Sequence, residues 1–281
     1  MPSDAVGTLA RSTDIEVIPM RGAVEKMLAT PAGTTFTITC SPKLGLERTI
    51  ETAETVAGLG YRAVPHLAAR QVESEAALHE LVGRLGQAGV RDLFVIGGDV
   101  EDPAGPYSCA ADLLEALAAI EHPITRIGVG CYPEGHPSIG EEVLDADLHR
   151  KQRHAGYMVS QLCFDAPALL RWLTRRRADG LTLPLRVGVA GPVQIRKLIE
   201  LSMRIGVGSS VRYLTKQHGM VKNLVRGNAY RPEQLLSRLG DEAQHQALGI
   251  EGLHLFSFNQ IDLAADWQRH ATTPSDQAGL A

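Results

Sequence analysis

Short runs of Val, Ile, Leu and Phe, four to eight residues long, alternate with amphipathic stretches along almost the whole chain. The apolar runs are Ile15–Met20, Thr35–Cys40, Ala63–His66, Leu93–Ile96, Arg126–Val129, Met158–Leu162, Leu185–Val189 and Leu253–Phe258. They lack the polar alternation of a half-exposed strand, so each reads as a strand buried on both faces. Between them, Leu46–Leu59 puts Leu46, Ile50, Ala53 and Ala57 on one face and Glu47, Arg48, Glu51 and Glu54 on the other. Glu75–Ala88 carries Leu78, Leu81, Val82 and Leu85 on one stripe, with Gly89 as a C-terminal stop. Comparable helical patterns recur at Cys109–Ile120, Ala168–Arg177 and Gln194–Ile205. Strand and helix in strict alternation predict a parallel sheet with crossover helices.

About eight such units favour a closed (β/α)8 TIM barrel, an α/β fold of one domain, over a doubly wound sheet. The first strand runs into Pro19-Met20-Arg21-Gly22, not into the glycine-rich turn that a dinucleotide-binding sheet requires there. Residues 1–13 are mixed and polar and read as a loosely ordered lead-in, so the barrel is expected over 14–281. The interval of about 206–249 has no clear strand and two helical stretches, Leu214–Val225 and Pro232–Ala247. It reads as a helical insertion in the last β/α unit.

Composition narrows the function classes. The chain has 281 residues, 44% hydrophobic and 21% charged, with net charge −4. That is enough to bury a full core, and it shows no basic surplus for nucleic acid or a membrane surface. Cys40, Cys109, Cys131 and Cys163 are widely spaced and form no CxxC pair; with no signal peptide in view, a cytoplasmic protein with reduced thiols is expected. No run reaches the roughly 20 apolar residues of a membrane span. A homo-oligomer is compatible with all of this, and no metal-ligand spacing is present.

In a barrel of this kind the chemistry sits where strands end. Glu16 lies inside the first apolar run, where an ionised carboxylate is costly unless paired or functional; a Glu facing outward into solvent is the other reading. The second strand ends in Thr39-Cys40-Ser41-Pro42-Lys43 and the third in His66, which suits either a site or a structural hydrogen bond. The fourth ends in Gly97-Gly98-Asp99, where glycines admit a ligand to the backbone or simply make a turn. The fifth enters Tyr132-Pro133-Glu134-Gly135-His136-Pro137. The sixth carries Gln161, whose amide suits the donor and acceptor pattern of a heterocycle. Gly206-Val207-Gly208-Ser209-Ser210 is glycine-rich and reads as a flexible loop before it reads as a phosphate cradle.

These residues resemble the methylenetetrahydrofolate reductase family. Tyr132 to Pro137 is similar to its YPExHP signature, and Ala155-Gly156 through Gln161-Leu162-Cys163-Phe164-Asp165 resembles its AGA…TQxFFD segment. Pro65-His66-Leu67 matches PHL and Gly97-Gly98-Asp99 stands where RGD lies. Ile15 to Pro19 resembles the FEFFPP opening, and Phe256-Ser257-Phe258-Asn259-Gln260 the closing strand. The resemblance implies reduction of 5,10-methylenetetrahydrofolate to 5-methyltetrahydrofolate with NADH or NADPH. It implies Glu16 as general acid toward folate N10 and Asp99 as the carboxylate beside the developing cation. Gln161 and Tyr132 would contact the substrate, as would Lys197 and Leu201 by position alone. His66, Thr39, His136, Gly97 and Gly98 would lie on the cofactor side.

The family usually carries FAD, and three departures fall on that cofactor. Gly97 replaces the Arg of RGD, Thr39 to Lys43 replaces the TYGAGGS loop, and Asp145–His154 aligns poorly with the family's lysine-bearing helix. They imply a short variant that works without flavin, by direct hydride transfer. An FAD-dependent reductase with ping-pong kinetics and a non-catalytic folate-binding partner subunit are the alternatives. An unrelated barrel such as an aldolase would need a strand-end lysine, and Lys43 is already in a loop.

Overall fold

All eight apolar runs are strands in the computed structural model, which describes residues 4–194, 198–200, 229–230 and 232–272. The strands are β1 (Thr13–Val17), β2 (Thr35–Ile38), β3 (Arg62–Ala68), β4 (Asp92–Ile96), β5 (Arg126–Cys131), β6 (Tyr157–Ser160), β7 (Leu185–Ala190) and β10 (Ile250–Phe256). They close into a barrel in the order β1-β10-β7-β6-β5-β4-β3-β2, and every register that is described within it is parallel. The fold is therefore the expected (β/α)8 barrel. Two short strands, β8 (Val193–Gln194) and β9 (Ala229–Tyr230), pair antiparallel beside it.

The chain forms two compact units. One is Asp14–Gly130 with Asp145–Met158; the other comprises the described residues of Met1–Thr13, Cys131–Leu144 and Val159–Ala281. In the first, helix α3 (Gly45–Gly58) buries Leu46, Ile50, Ala53 and Val56, the stripe expected from its spacing. Helix α4 (Glu75–Gln87) starts at Ser74, whose side chain accepts from the Ala77 N–H, and buries Leu78, Val82 and Leu85. Helix α5 (Ala110–Ala118) is capped by Asp112, whose carboxylate accepts from the Ser108 and Cys109 N–H groups at 3.0 and 3.2 Å. At the strand starts, Arg62 grips Asp92 through two hydrogen bonds of 2.8 and 2.6 Å. Arg126 lies 4.3 Å from the centre of the Tyr157 ring. Two short or polar helices, α2 (Ala23–Met27) and α6 (Glu141–Lys151), were not legible as apolar stripes; α6 buries only Leu148 and Lys151.

In the second unit, Asp165 caps helix α7 (Ala166–Ala178) by accepting from the Ala168 N–H, with Pro167 in the first turn. Arg177, near the end of α7, donates to the carbonyls of Leu181, Leu183 and Leu248 at 2.7–2.9 Å. Part of the expected insertion is described as helices α8 (Glu233–Leu236) and α9 (Glu242–Leu248); Leu214–Val225, with Lys216, Lys222 and the following Arg226, lies outside the described residues, as does Gly206–Ser210. The chain of described residues ends in α10 (Ile261–Thr272).

The lead-in is a correction. Residues Asp4–Arg11 form helix α1, which packs on α10 and β10 and buries Ala5, Val6, Leu9 and Ala10. Gln268 of α10 donates to the Ala10 carbonyl at 3.3 Å. Ala5, Val6, Leu9 and Ala10 stand at helical spacing and supply the buried stripe. Leu9 is 2% exposed. Leu9→Ala should therefore lower unfolding free energy by about 2–4 kcal/mol in urea denaturation; an unchanged midpoint would mean that α1 does not pack as described.

Candidate functional site

The parallel register decides which side chains share a face. Glu16 is paired with Thr37, and Thr37 with Val64, so these three lie side by side across β1, β2 and β3. Ile15 and Val17, both 0% exposed, point to the opposite face, while Glu16 is half-buried. Thr37 is 1% exposed, and its hydroxyl has no hydrogen-bond partner among the described residues. A polar capacity is thus left open beside the carboxylate.

One step further along, the Thr39 N–H donates to the Val17 carbonyl at 2.9 Å and its own carbonyl accepts from Thr49 of α3 at 3.0 Å. Both bonds hold the end of β2 in place. Cys40 follows, and burial raises its thiol pKa. His66 is paired with Phe94 in register and buried, and its ring lies 4.7 Å from the phenyl ring, centre to centre, tilted by 45°. Gly97, Gly98 and Asp99 continue from β4, with Gly98 at φ +92° and Asp99 exposed. Glu16, Thr39, His66, Gly97, Gly98 and Asp99 therefore all stand on or just beyond strand ends of the same unit.

The other unit holds a second group. After β5, Tyr132 and His136 meet edge to face at 5.1 Å, in a turn closed by the Gly135 N–H on the Tyr132 carbonyl at 3.0 Å. Gln161 follows β6. Its N–H donates to the Cys131 carbonyl at 2.8 Å, and its side-chain oxygen accepts from the Leu162 N–H at 2.8 Å. The side-chain oxygen is thereby engaged, and the NH2 group is the part of the amide left to donate. Lys197 and Leu201 lie outside the described residues.

Glu134 was not singled out from the sequence, yet it organises this second group. Its carboxylate accepts from the Phe164 N–H at 3.0 Å and the Asp165 N–H at 3.3 Å, tying the Tyr132–Pro137 loop to the turn that caps α7. Its signal was its place between Pro133 and Gly135 in a loop dense with functional side chains. Nearby, Ser160 accepts from the Gly188 N–H at 2.8 Å and from the Cys163 thiol at 3.4 Å. Burial pushes that thiol well above its ordinary pKa, so it stays protonated and does not act as a nucleophile.

At the positions assigned to FAD by resemblance, side chains are absent or engaged within the protein. Gly97 has no side chain. Lys151 of α6 is buried, donates to the Gly130 carbonyl at 2.9 Å and pairs with Asp147 at 2.7 Å. Its neighbour Arg150 pairs with Asp112 and Glu115. These cations serve the protein itself. No helix among the described residues is long and apolar enough to cross a membrane.

Comparison with known proteins places the chain. The family model described as methylenetetrahydrofolate reductase matches residues 23–265. Methylenetetrahydrofolate reductase 2 of Saccharomyces cerevisiae is 26% identical over 113 residues, covering 36% of this chain and 19% of that protein. Methylenetetrahydrofolate reductase 1 of Schizosaccharomyces pombe is 25% identical over 139 residues, covering 46% and 22%. The matched stretches thus span only about a fifth of each yeast protein's length. Among solved structures, an uncharacterized protein from Clostridium thermocellum that binds two copies of 5-methyl-5,6,7,8-tetrahydrofolic acid superposes with a TM-score of 0.61. It is 13% identical and covers 92% of this chain and 96% of its own. That likeness supports the fold.

Glu134→Ala would leave two main-chain N–H groups without their acceptor and should cost about 1–3 kcal/mol. Glu134→Gln keeps an acceptor oxygen and should recover most of that stability. Equal losses in the two variants, read by thermal or urea melts, would show that the charge matters and the tether does not.

Proposed function

The chain belongs to the methylenetetrahydrofolate reductase family, and from that premise we propose that it reduces 5,10-methylenetetrahydrofolate to 5-methyltetrahydrofolate with NAD(P)H and without flavin. The observation that carries this reading is the pair Glu16 and Asp99. The two carboxylates stand on β1 and just beyond β4 of one unit, among Thr37, Thr39 and His66.

Glu16 donates its proton to folate N10, which breaks the N10–methylene bond and leaves the carbon as an iminium on N5. Asp99, exposed at its glycine turn, stabilises that cation. The nicotinamide supplies the hydride that completes the methyl group. Thr39, His66, Gly97, Gly98 and His136 are assigned to the nicotinamide side, and Tyr132, Gln161, Lys197 and Leu201 to the folate. Gln161 fits a pterin acceptor, because its NH2 group is the part left to donate. The flavin-free form of the reaction is supported by Gly97 and by the internal engagement of Lys151. With no flavin between them, the two substrates must lie in contact, and alignment is the main contribution of the protein.

A folate-binding protein without catalysis is the second reading. It is favoured by the folate bound to the uncharacterized Clostridium thermocellum protein of the same fold. The test is NADH and NADPH oxidation by the purified, flavin-stripped chain with methylenetetrahydrofolate. Turnover by a colourless protein is expected, and Glu16→Gln should reduce it by about 10²–10⁴-fold. Turnover only with added FAD would restore the flavin mechanism. Folate binding with no turnover in either case would establish the second reading.

A further inference from the structure

Asp99 is exposed, follows two glycines, and its carboxylate has no hydrogen bond or ion pair among the described residues. Its position is set through the backbone on either side, and one residue holds both sides. Arg70 lies in the 3-10 turn Ala69–Gln71 that follows β3. Its N–H donates to the Gly97 carbonyl at 3.0 Å. Its Nη1 donates to the carbonyls of Val100 at 2.9 Å and Glu101 at 3.2 Å, and its Nε to that of Ser108 at 2.9 Å. In return, the Arg70 carbonyl accepts from the Ala104 N–H at 2.9 Å.

The loop also lies tight against the connection that carries Arg70. A Cβ on Gly98 would come within 3.1 Å of the Ala68 Cβ, and one on Gly105 within 2.3 Å of the Glu73 carbonyl oxygen. At its far end, Asp112 caps α5 and fixes Ser108 and Cys109. The segment 97–109 is thus held at its start, middle and end.

We infer that Arg70 is the positioning residue for Asp99: its main chain and guanidinium bracket Asp99 through the carbonyls of Gly97, Val100 and Glu101. The inference rests on the reading of Asp99 given above. A planar fork that donates in several directions at once meets this demand, and an ammonium group does not. The cation is also kept off the carboxylate it positions. Asp99 is therefore left to face a ligand, whereas a direct Arg–Asp pair would already occupy its carboxylate. Because Arg70 and His66 belong to one strand and its turn, β3 sets the geometry of both groups.

The test is a double-mutant cycle of Arg70→Met and Asp99→Asn, with Arg70→Lys as a third variant and hydrogen–deuterium exchange of residues 97–109 alongside. Arg70→Met should speed exchange across 97–101. It should lower kcat by roughly 10–100-fold, as misplacement of a catalytic group does, with little change in the KM for NADH. In the Asp99→Asn background it should add little, because it acts through Asp99. Arg70→Lys keeps the charge without the fork and should lose nearly as much as Met. Independent, multiplying effects of the two substitutions would overturn the inference, as would unchanged exchange at 97–101 or a fully active Lys variant. Should the wild-type chain turn over no folate, the functional reading fails. The exchange measurement and the same cycle, read on the Kd for 5-methyltetrahydrofolate, would still decide the role of Arg70.

Discussion

Main-chain carbonyls that leave a regular element without a donor are the demand on which much of this structure turns. A β/α barrel has a connection at every strand end, and each connection strips some carbonyls of their ladder partners. Here cationic side chains answer that demand in both units. Arg177 holds three carbonyls around the α7–β7 connection, Arg70 holds three after β4, and Lys151 holds one at Gly130. Arg186 of β7 adds a fourth case by donating to the Ser12 carbonyl at 2.8 Å. An unpartnered buried carbonyl costs more than a surface ion pair returns, which is why these cations are found on backbone.

That use of cations shapes the chemistry as well as the fold. A cation bound to main chain is fixed in place and is less available for an anionic ligand. Lys151 and Arg70 both carry charge near strand ends, and both are directed at carbonyls. Two carboxylates also stand near strand ends. Glu16 stands half-buried beside the open hydroxyl of Thr37, and Asp99 projects from a braced turn. That placement suits a reaction that develops positive charge on its substrate.

Much of the architecture was legible because β strands buried on both faces write themselves as uninterrupted apolar runs. All eight were found, with ends displaced by up to three residues where a turn residue such as Met20 extended the apolar run beyond the ladder. Glu16, His66 and Gln161 drew notice for the related reason that polar residues are conspicuous in such runs, and Asp99 because it follows two glycines at a strand end. Helix α1 was missed although Ala5, Val6, Leu9 and Ala10 stand at helical spacing, and α6 because it buries little. Arg70 was missed for a different reason. Its guanidinium partners lie 30 to 38 residues downstream, and no local pattern marks an arginine whose work is done on distant carbonyls.

The tether from Glu134 to the Phe164 and Asp165 amides makes two loops, separated in sequence by a helix and a strand, into one inherited part. Lengthening either loop, or transplanting the Tyr132–Pro137 segment alone into a related barrel, would leave half of a matched pair behind. Variation in this region is thus expected to be correlated: loss of the acceptor oxygen that Glu134 supplies is tolerable only with a compensating change in how α7 begins. For anyone remodelling the specificity of such a barrel, the smallest exchangeable module here spans both loops.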